Sequence, residues 1–251
     1  YSHGPGYLPL RTALAQHLRL ARSVDCEPDQ VVVTNGIHQS LSLISVLLGD
    51  GNEVAWIENP AYWGARTVLK ANGIRVLPID VDDEGMAPSE EQMQTPPRFM
   101  FVTPSHQYPL GTVMSLSRRR MLLEYAHRNN IWIIEDDYDS EFRFDGRPIA
   151  SPQGLDSNDR VIYLGTFSKT LFPGLRLGFM VLPKVLSAHF GTGLSELYRE
   201  GRLIDQAVLA DFMNDGHYAA HIRRMRAQYA RRQALLRDAI LEHFGADWPI
   251  S

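Results

Sequence analysis

Residues 165–178, GTFSKTLFPGLRLG, place a lysine between an apolar run and a Pro-Gly turn. Lys169 is one of three lysines in a chain that carries 22 arginines. Desolvation disfavours a charged ammonium, and a neutral amine is the form that attacks a carbonyl group. The stretch therefore predicts a poorly solvated, reactive lysine. The alternative is a lysine at a helix start whose ammonium extends into solvent.

The composition is that of an ordinary globular protein, with 44% apolar and 22% charged residues in 251. A net charge of −4 gives no general electrostatic case for binding nucleic acid or an anionic membrane. The single cysteine, Cys26, excludes an internal disulfide and indicates a reducing, cytoplasmic compartment. Neither a membrane span nor a signal peptide is visible. Because the chain begins at Tyr1 rather than Met, we expect it to be a fragment lacking sequence at both ends.

Short β-rich runs alternate with segments whose apolar residues recur at helical spacing. This alternation predicts an α/β fold with a mostly parallel, seven-stranded sheet flanked by helices. In such a sheet, ligands bind at the carboxyl ends of the strands. The predicted strands are 31–34, 54–58, 75–79, 99–103, 131–135, 161–165 and 177–182. The predicted helices are 8–22, 38–48, 62–72 and 117–129, with a further helical region from about 203 that breaks at Gly216.

The first predicted strand ends in NGIHQS, residues 35–40, where Gly36 opens the next helix. The free amides of a helix N-terminus can bind an anion. A glycine-containing turn between strand and helix explains the same residues without a ligand. Both interpretations remain open.

The strand at 131–135 ends in EDDYDSE, which holds five carboxylates in residues 135–141. Such a run repels itself unless some of its members are solvated or meet a cation. An exposed acidic loop and a Mg²⁺ site are two interpretations. The third is a single buried aspartate that faces a protonated ring nitrogen, and it needs only one of these residues.

Two more strand ends carry chemically useful side chains. Beside Lys169, the hydroxyls of Thr166 and Ser168 and the guanidinium of Arg176 follow one strand. Tyr62 follows another and could stack on a flat ring, although half-buried packing is the commoner use of an aromatic residue. Together the strand ends provide an anion site, an acid, an amine and an aromatic platform. Pyridoxal 5′-phosphate requires these groups.

The helical region after Gly216 contains two features with simpler explanations. His217 and His221 are four residues apart, as in some metal sites, but no third ligand accompanies them, so a surface helix is preferred and no metal is predicted. The arginines between 223 and 232 suggest a nucleic-acid patch, and a solvated basic face is the preferred interpretation.

Four phrases carry a resemblance that covers almost the whole chain. They are TPSHQYPLGTVMSLSRRR (103–120), IIEDDYDSEFRF (133–144), VIYLGTFSKTLFPGLRLGFMVLP (161–183) and GHYAAHIRRMRAQYARRQ (216–233). The chain resembles the large domain of class I and II aminotransferases, which have the fold type I of pyridoxal-phosphate-dependent transferases. The phrases are most similar to the aminotransferase-like domain of MocR-type regulators of the GntR family.

The resemblance implies a role for each candidate residue. Lys169 would hold the cofactor as an internal aldimine, Asp136 would pair with the ring nitrogen, and Tyr138 would donate to the phenolic oxygen. Tyr62 would stack on the ring. The phosphate would contact Gly36, Ile37, His38, Thr166, Ser168 and Arg176, with Tyr1 reaching the phosphate of a partner subunit.

The chain departs from the aminotransferase pattern in two respects. Tyr108 stands where the aminotransferase phrase Asn-Pro-x-Gly has its asparagine, although SHQYPLG is typical of the MocR branch. The arginine that binds the substrate carboxylate belongs to the C-terminal small domain of the family. This chain ends before that arginine, so no residue can be assigned to the role.

The resemblance divides the chain into a large domain, residues 1–215, and the start of a small domain, residues 216–251. It also implies a winged helix-turn-helix upstream of the chain, through which alone DNA would be bound, and a homodimer whose site takes an amino acid or amine. No membrane partner is expected. The main functional prediction is the effector-sensing domain of a regulator, and the alternative is a free-standing aminotransferase. A pyridoxal-phosphate-dependent lyase or decarboxylase is a weaker third possibility.

Overall fold

The computed structural model of the chain describes residues 4–142, 149–199 and 201–245. Tyr1 lies outside the described residues. Within them, eight strands form one sheet. The strands are β1 (Val31–Thr34), β2 (Val54–Asn59), β3 (Arg75–Asp82), β4 (Gly85–Met86), β5 (Phe99–Val102), β6 (Trp132–Asp137), β7 (Val161–Thr166) and β8 (Gly178–Val181).

Ten α-helices lie in the same segments, together with short 3-10 turns at Pro28–Gln30, Ser140–Phe142 and Pro173–Leu175. The helices are α1 (Leu8–Arg22), α2 (Ile37–Leu48), α3 (Trp63–Ala71), α4 (Glu90–Met93), α5 (Leu116–Asn129), α6 (Pro152–Leu155), α7 (Phe167–Thr170), α8 (Lys184–Tyr198), α9 (Leu203–Asn214) and α10 (His217–Phe244).

Local signals in the sequence set the ends of the long helices. At the start of α5, the hydroxyl of Ser115 accepts the amide N–H of Arg118 at 3.1 Å, which satisfies one of the free donors of the first turn. Asn130 then ends α5 in the left-handed conformation, as Ser23 ends α1. Gly216 separates α9 from α10 with a φ of 78°, so the predicted break is confirmed.

The strand order in the sheet is β1-β8-β7-β6-β5-β2-β3-β4. Strands β2, β3, β5, β6 and β7 pair in parallel, whereas β8 is antiparallel to both β1 and β7. The predicted α/β fold with a mostly parallel sheet is therefore confirmed. The sheet has one strand more than predicted because β4 is a two-residue strand, too short to give a sequence pattern.

Helices cover both faces of the sheet. Phe99 and Phe101 on β5 pack in a cluster with α2, α3 and α8, while Met100 and Val102 on the same strand pack with α5. A third cluster joins α1, α9 and α10 to β1, β7 and β8. Because both faces are covered, β5 is apolar at every position and β6 at its first three, rather than at alternate positions.

Strand β8 brings the ends of β1 and β7 together. It returns between them, so its first residue, Gly178, pairs with Thr34 at the end of β1 and Thr166 at the end of β7. A Cβ on Gly178 would lie 2.9 Å from the Gly165 carbonyl oxygen and 2.9 Å from the Gly36 Cα. This close approach sets the turn after β1 beside the turn after β7.

None of the helices in the described segments combines the length and the apolar character that spanning a membrane requires.

Replacing Gly178 with alanine tests this close approach. The new methyl group would press on backbone atoms that cannot rotate away, so we expect Gly178→Ala to lower the free energy of unfolding by about 1–3 kcal/mol. Urea unfolding measures the change. Gly174→Ala is the control, because its Cβ would find its nearest neighbour, the Phe172 side chain, at 3.6 Å. Equal stability of the two variants would show that the approach is not tight.

Candidate functional site

The carboxyl ends of β1, β5, β6 and β7 meet around a cavity of about 270 Å³, whose wall also includes Tyr62 after β2. Ten of its lining residues are those that the sequence predicted. They are Gly36, Ile37, His38, Tyr62, Asp136, Tyr138, Thr166, Ser168, Lys169 and Arg176. Three further lining residues, Thr103, Tyr108 and Pro173, were not proposed as site residues.

Lys169 lies in α7, a single helical turn that begins where β7 ends. The hydroxyl of Thr166 caps this turn by accepting the amide N–H of Ser168 at 3.2 Å. The Lys169 side chain is exposed at the cavity. The expectation of a poorly solvated lysine is therefore wrong, because one helical turn carries the residue past the buried strand to the rim of the cavity.

The turn after β1 and the turn before β8 form the cationic end of the cavity. Gly36 has a φ of 105°, a conformation that favours glycine, and α2 begins at the next residue. A Cβ at Gly36 would meet nothing within 4 Å, so this side of the helix N-terminus is open. Arg176, held at a φ of 52°, lines the same cavity. An N-terminal helix dipole and a guanidinium together favour a dianion such as a phosphate.

Four of the five carboxylates in residues 135–141 have partners. Glu135 accepts the amide N–H of Gln153 (2.9 Å), Asp137 accepts from Arg22 (2.7 Å) and Tyr163 (2.6 Å), Asp139 pairs with His106 (3.0 Å), and Glu141 pairs with His17 (2.8 Å). The interpretation as an exposed acidic loop is wrong, because the first three of these carboxylates are buried at the end of β6.

Asp136 is the exception in this run. Its side chain is 4% exposed, and its Oδ1 atom has no hydrogen-bond partner in the described part of the chain. Burial raises the pKa of the Asp136 carboxyl to about 8, and the negative charges of Asp137, Asp139 and Glu58 add to the effect. A buried acceptor without a donor is costly, so Asp136 is suited to a ligand that brings a proton and a positive charge.

Aromatic side chains form one wall of the cavity. The Tyr62 hydroxyl and the Nε2 atom of His38 are 3.0 Å apart. Tyr108 lies edge-on to Tyr62 and to Tyr138, at centroid distances of 5.9 and 6.1 Å. Burial raises the pKa of the Tyr138 phenol above its ordinary value, so this hydroxyl stays a hydrogen-bond donor at neutral pH. Tyr108, the residue that departs from the aminotransferase pattern, thus contacts both aromatic residues predicted for the site.

The described segments contain no group of three or more His, Cys, Asp or Glu side chains that could hold a metal ion. The Nε2 atom of His221, one of the two histidines considered above as a metal pair, lies 2.9 Å from the backbone carbonyl oxygen of Thr170, next to Lys169. Thr103 follows β5, so the strand-end rule applied to that strand would have found it.

The structure is an α/β protein whose cavity, at the carboxyl edge of the sheet, is lined by a lysine, an arginine, a helix N-terminus and an acid without a partner among the described residues. Comparison with known proteins gives the family. Residues 1–251 match the family of class I and II aminotransferases, and the chain belongs to that family.

The relatives include both regulators and enzymes. The chain is 44% identical over 243 residues to a probable rhizopine catabolism regulatory protein, MocR, of Rhizobium meliloti, which covers 97% of this chain and 49% of that protein. It is 31% identical over 261 residues to aromatic-amino-acid aminotransferase 1 of Thermococcus litoralis, which covers 98% of this chain and 61% of that enzyme. The predicted similarity to MocR-type regulators is confirmed, and the chain spans about half the length of the regulators that it matches.

The fold is also that of solved aminotransferases. The kynurenine aminotransferase of Pyrococcus horikoshii, solved with PMP, matches with a TM-score of 0.88 and 30% identity. The match covers 99% of this chain and 62% of that chain.

The pair of Arg22 and Asp137 offers a test of the charges behind the cavity. Asp137 is buried with a side-chain exposure of 1%, so removing its cation in Arg22→Leu should lower the free energy of unfolding by about 3–5 kcal/mol. Arg19→Leu is the matched control on the same helix, because its pair with Glu27 is exposed and should contribute less than about 1 kcal/mol. A loss of less than 1 kcal/mol in Arg22→Leu, measured by urea unfolding, would contradict the assignment.

Asp136 should also give the stability a measurable pH dependence in protein freed of small ligands. Its pKa is about 8 in the folded chain and near 3.8 when unfolded, so the folded state holds the proton more tightly. The contribution of Asp136 to stability is therefore fully present below pH 4 and is lost as the pH rises toward 8. Asp136→Asn removes the contribution of Asp136 to the pH dependence of stability. At pH 8 its free energy of unfolding should exceed that of wild type by about 1.4 kcal/mol or more, because a shift of one pKa unit corresponds to about that energy.

Urea titrations at pH 5 and pH 8 measure the difference between Asp136→Asn and wild type. Asp83→Asn, the same change at an exposed site, is the control and should follow the wild type at both pH values. If the stability of Asp136→Asn changed with pH as that of the wild type does, the pKa of the Asp136 carboxyl would not be raised in the folded chain.

Proposed function

We propose that this chain is the pyridoxal-phosphate-binding, effector-sensing domain of a MocR-type transcriptional regulator. The unpaired, buried carboxyl of Asp136 in the cavity that Lys169 also lines is the observation that carries the proposal. The regulators' greater identity to the chain, 44% against 31% for an aminotransferase, supports the regulatory assignment. In this proposal DNA is bound by a winged helix-turn-helix outside this chain.

The residues of the cavity fit pyridoxal phosphate at each of its functional groups. The open amides at the start of α2 and the guanidinium of Arg176 suit the phosphate. Asp136 lacks a donor, and a protonated ring nitrogen would provide one. The phenol of Tyr138 suits the ring oxygen as a donor, and the exposed Lys169 side chain is accessible in the same cavity. The Tyr62 ring supplies the aromatic face.

The chain's own groups then have defined tasks. Bound pyridoxal phosphate supplies an aldehyde that reacts with amines and a ring that withdraws electrons. Asp136 would hold a proton at the ring nitrogen, and the positive charge there would keep the Asp136 carboxylate ionised despite its burial. Lys169 would hold the cofactor covalently, and its amine, when free, would be the base placed to move a proton. The hydroxyls of Thr166 and Ser168 and the guanidinium of Arg176 orient the phosphate.

The ligand that is sensed would be an amino acid or another amine. A groove of about 750 Å³ adjoins the cavity and shares Tyr108 and Tyr138 with it, which gives such a ligand a path to Lys169.

We also propose that the large domain ends at 215, where Gly216 interrupts the helices, and that the chain works as a homodimer. Ile204 and Val208, 81% and 65% exposed and one turn apart on α9, support an apolar contact there.

A free-standing aminotransferase is the second candidate. It is supported by the TM-score of 0.88 to a kynurenine aminotransferase and by the presence of a lysine, an acid and a phosphate-type site in one cavity. The same residues serve both functions, so product formation is what separates them.

The covalent role of Lys169 can be tested by trapping. The intact protein is mixed with pyridoxal phosphate, reduced with borohydride and digested, and the mass of the lysine peptides is measured. We expect the label on the Lys169 peptide, and no label there in Lys169→Ala. Lys184→Ala, an exposed lysine outside the cavity, should keep the label. If the label were found on Lys70 or Lys184 instead, to the same extent in wild type and in Lys169→Ala, the proposal would be wrong.

A panel of amino acids then distinguishes sensor from enzyme. A sensor should change its absorption and its DNA affinity reversibly, without accumulating pyridoxamine phosphate. Stoichiometric conversion to pyridoxamine phosphate with release of a keto acid, and no effect on DNA, would instead assign the chain to a free enzyme.

A further inference from the structure

The lysine-bearing helix α7 is too short to be stable by itself. It has four residues, and its backbone bond from the Leu171 N–H to the Phe167 carbonyl, 2.9 Å, closes a single turn. Helix formation becomes favourable only when several turns share the entropic cost of the first. The orientation of Lys169 therefore depends on contacts that other parts of the chain make with this turn.

His221 on α10 supplies such a contact at the C-terminal end of the turn. Its Nε2 atom lies 2.9 Å from the carbonyl oxygen of Thr170, the last residue of α7. A carbonyl can only accept, so Nε2 carries the proton and donates it. The Nδ1 atom is 3.4 Å from the guanidinium of Arg224, which can donate to it, and this favours the same tautomer. His221 thus caps one of the free carbonyls of a helix C-terminus from outside the helix.

Tyr218 contacts the other end of the same turn. Its ring is 4% exposed and meets the ring of Phe167, the first residue of α7, edge-on at 5.8 Å. Tyr218 and His221 are three residues apart, so they lie on one face of α10. Lys169 is held between the two contacted residues.

α10 is itself fixed further along its length. Arg226 pairs with the Glu141 carboxylate at 3.9 Å and also donates to the Glu141 backbone carbonyl. Tyr229 meets Phe142 edge-on at 4.9 Å. Glu141 and Phe142 belong to the turn that follows Asp136 and Tyr138, so one helix contacts the segments on both sides of the cavity.

We propose that His221 is a positioning residue of this site, which orients the Lys169 amine by capping the carbonyl of Thr170. The proposal rests on the proposed function in one respect, since it takes Lys169 to be the residue that binds the cofactor. It adds that the first turns of α10 control how readily that lysine reacts. A displacement of α10 would release the turn and slow covalent attachment.

Three variants of the intact protein test this role. His221→Leu removes the donor, and His221→Gln keeps one of similar reach. His217→Leu makes the same apolar change one turn earlier, at an exposed residue whose ring contacts Phe212 rather than α7. Hydrogen–deuterium exchange of the peptide covering residues 166–172 is measured in protein freed of pyridoxal phosphate, with the β5 and β6 peptides as the reference. The rate of covalent labelling by added pyridoxal phosphate is the second readout.

We expect His221→Leu to raise exchange in residues 166–172 by about tenfold, as loss of one net hydrogen bond implies, and to slow labelling of Lys169. His221→Gln and His217→Leu should remain near wild type in both measurements. Unchanged exchange in His221→Leu would overturn the proposal, and so would an equal rise in the β5 and β6 peptides, because His221 would then stabilise the whole domain. The exchange result stands even if Lys169 of the wild type is not labelled, an outcome that would refute the proposed function alone.

Discussion

The Asp136 carboxyl is buried without a donor among the described residues, and the site depends on this constraint. Ionising a carboxylate away from water is expensive, and here the neighbouring carboxylates make it more so. Two of these neighbours have partners of their own, Arg22 and Tyr163 for Asp137 and His106 for Asp139. Asp136 alone in this run is left for something outside the chain. A ligand that carries a protonated ring nitrogen would relieve this cost, and the proposed cofactor has one.

The sheet topology explains why the other groups lie around the same cavity. Parallel strands end at the same edge, and β8 returns between β1 and β7 with Gly178 against Gly36. The N-terminus of α2 after β1 and the lysine turn after β7 are thereby neighbours, although some 130 residues separate them in sequence. α10 adds the last contact, because it reaches both the lysine turn and the turn after β6.

Features that depend on short stretches of sequence could be predicted. The apolar runs indicated the strands to within a few residues. The rule that ligands bind at strand ends selected the stretches, and the family resemblance selected within them ten residues that line one cavity. Features that depend on contacts between distant residues could not. The exposure of Lys169 follows from one turn of helix, the partner of Asp137 is Arg22, 115 residues earlier, and the contact of His221 with Thr170 crosses 51 residues. The spacing of His217 and His221 left a surface helix as the preferred interpretation over a metal pair, and it gives no information about which residues face the helix.

The protonation of the cofactor's ring nitrogen is the most direct test of this account. Pyridoxal phosphate labelled with ¹⁵N at the ring is bound to the intact protein, and its nitrogen chemical shift is followed with pH in wild type and Asp136→Asn. We predict a nitrogen that stays protonated at pH 7 and well above it in wild type, and that loses its proton in the variant. A nitrogen that is unprotonated at pH 7 in wild type, or that titrates identically in both proteins, would contradict the central role of Asp136.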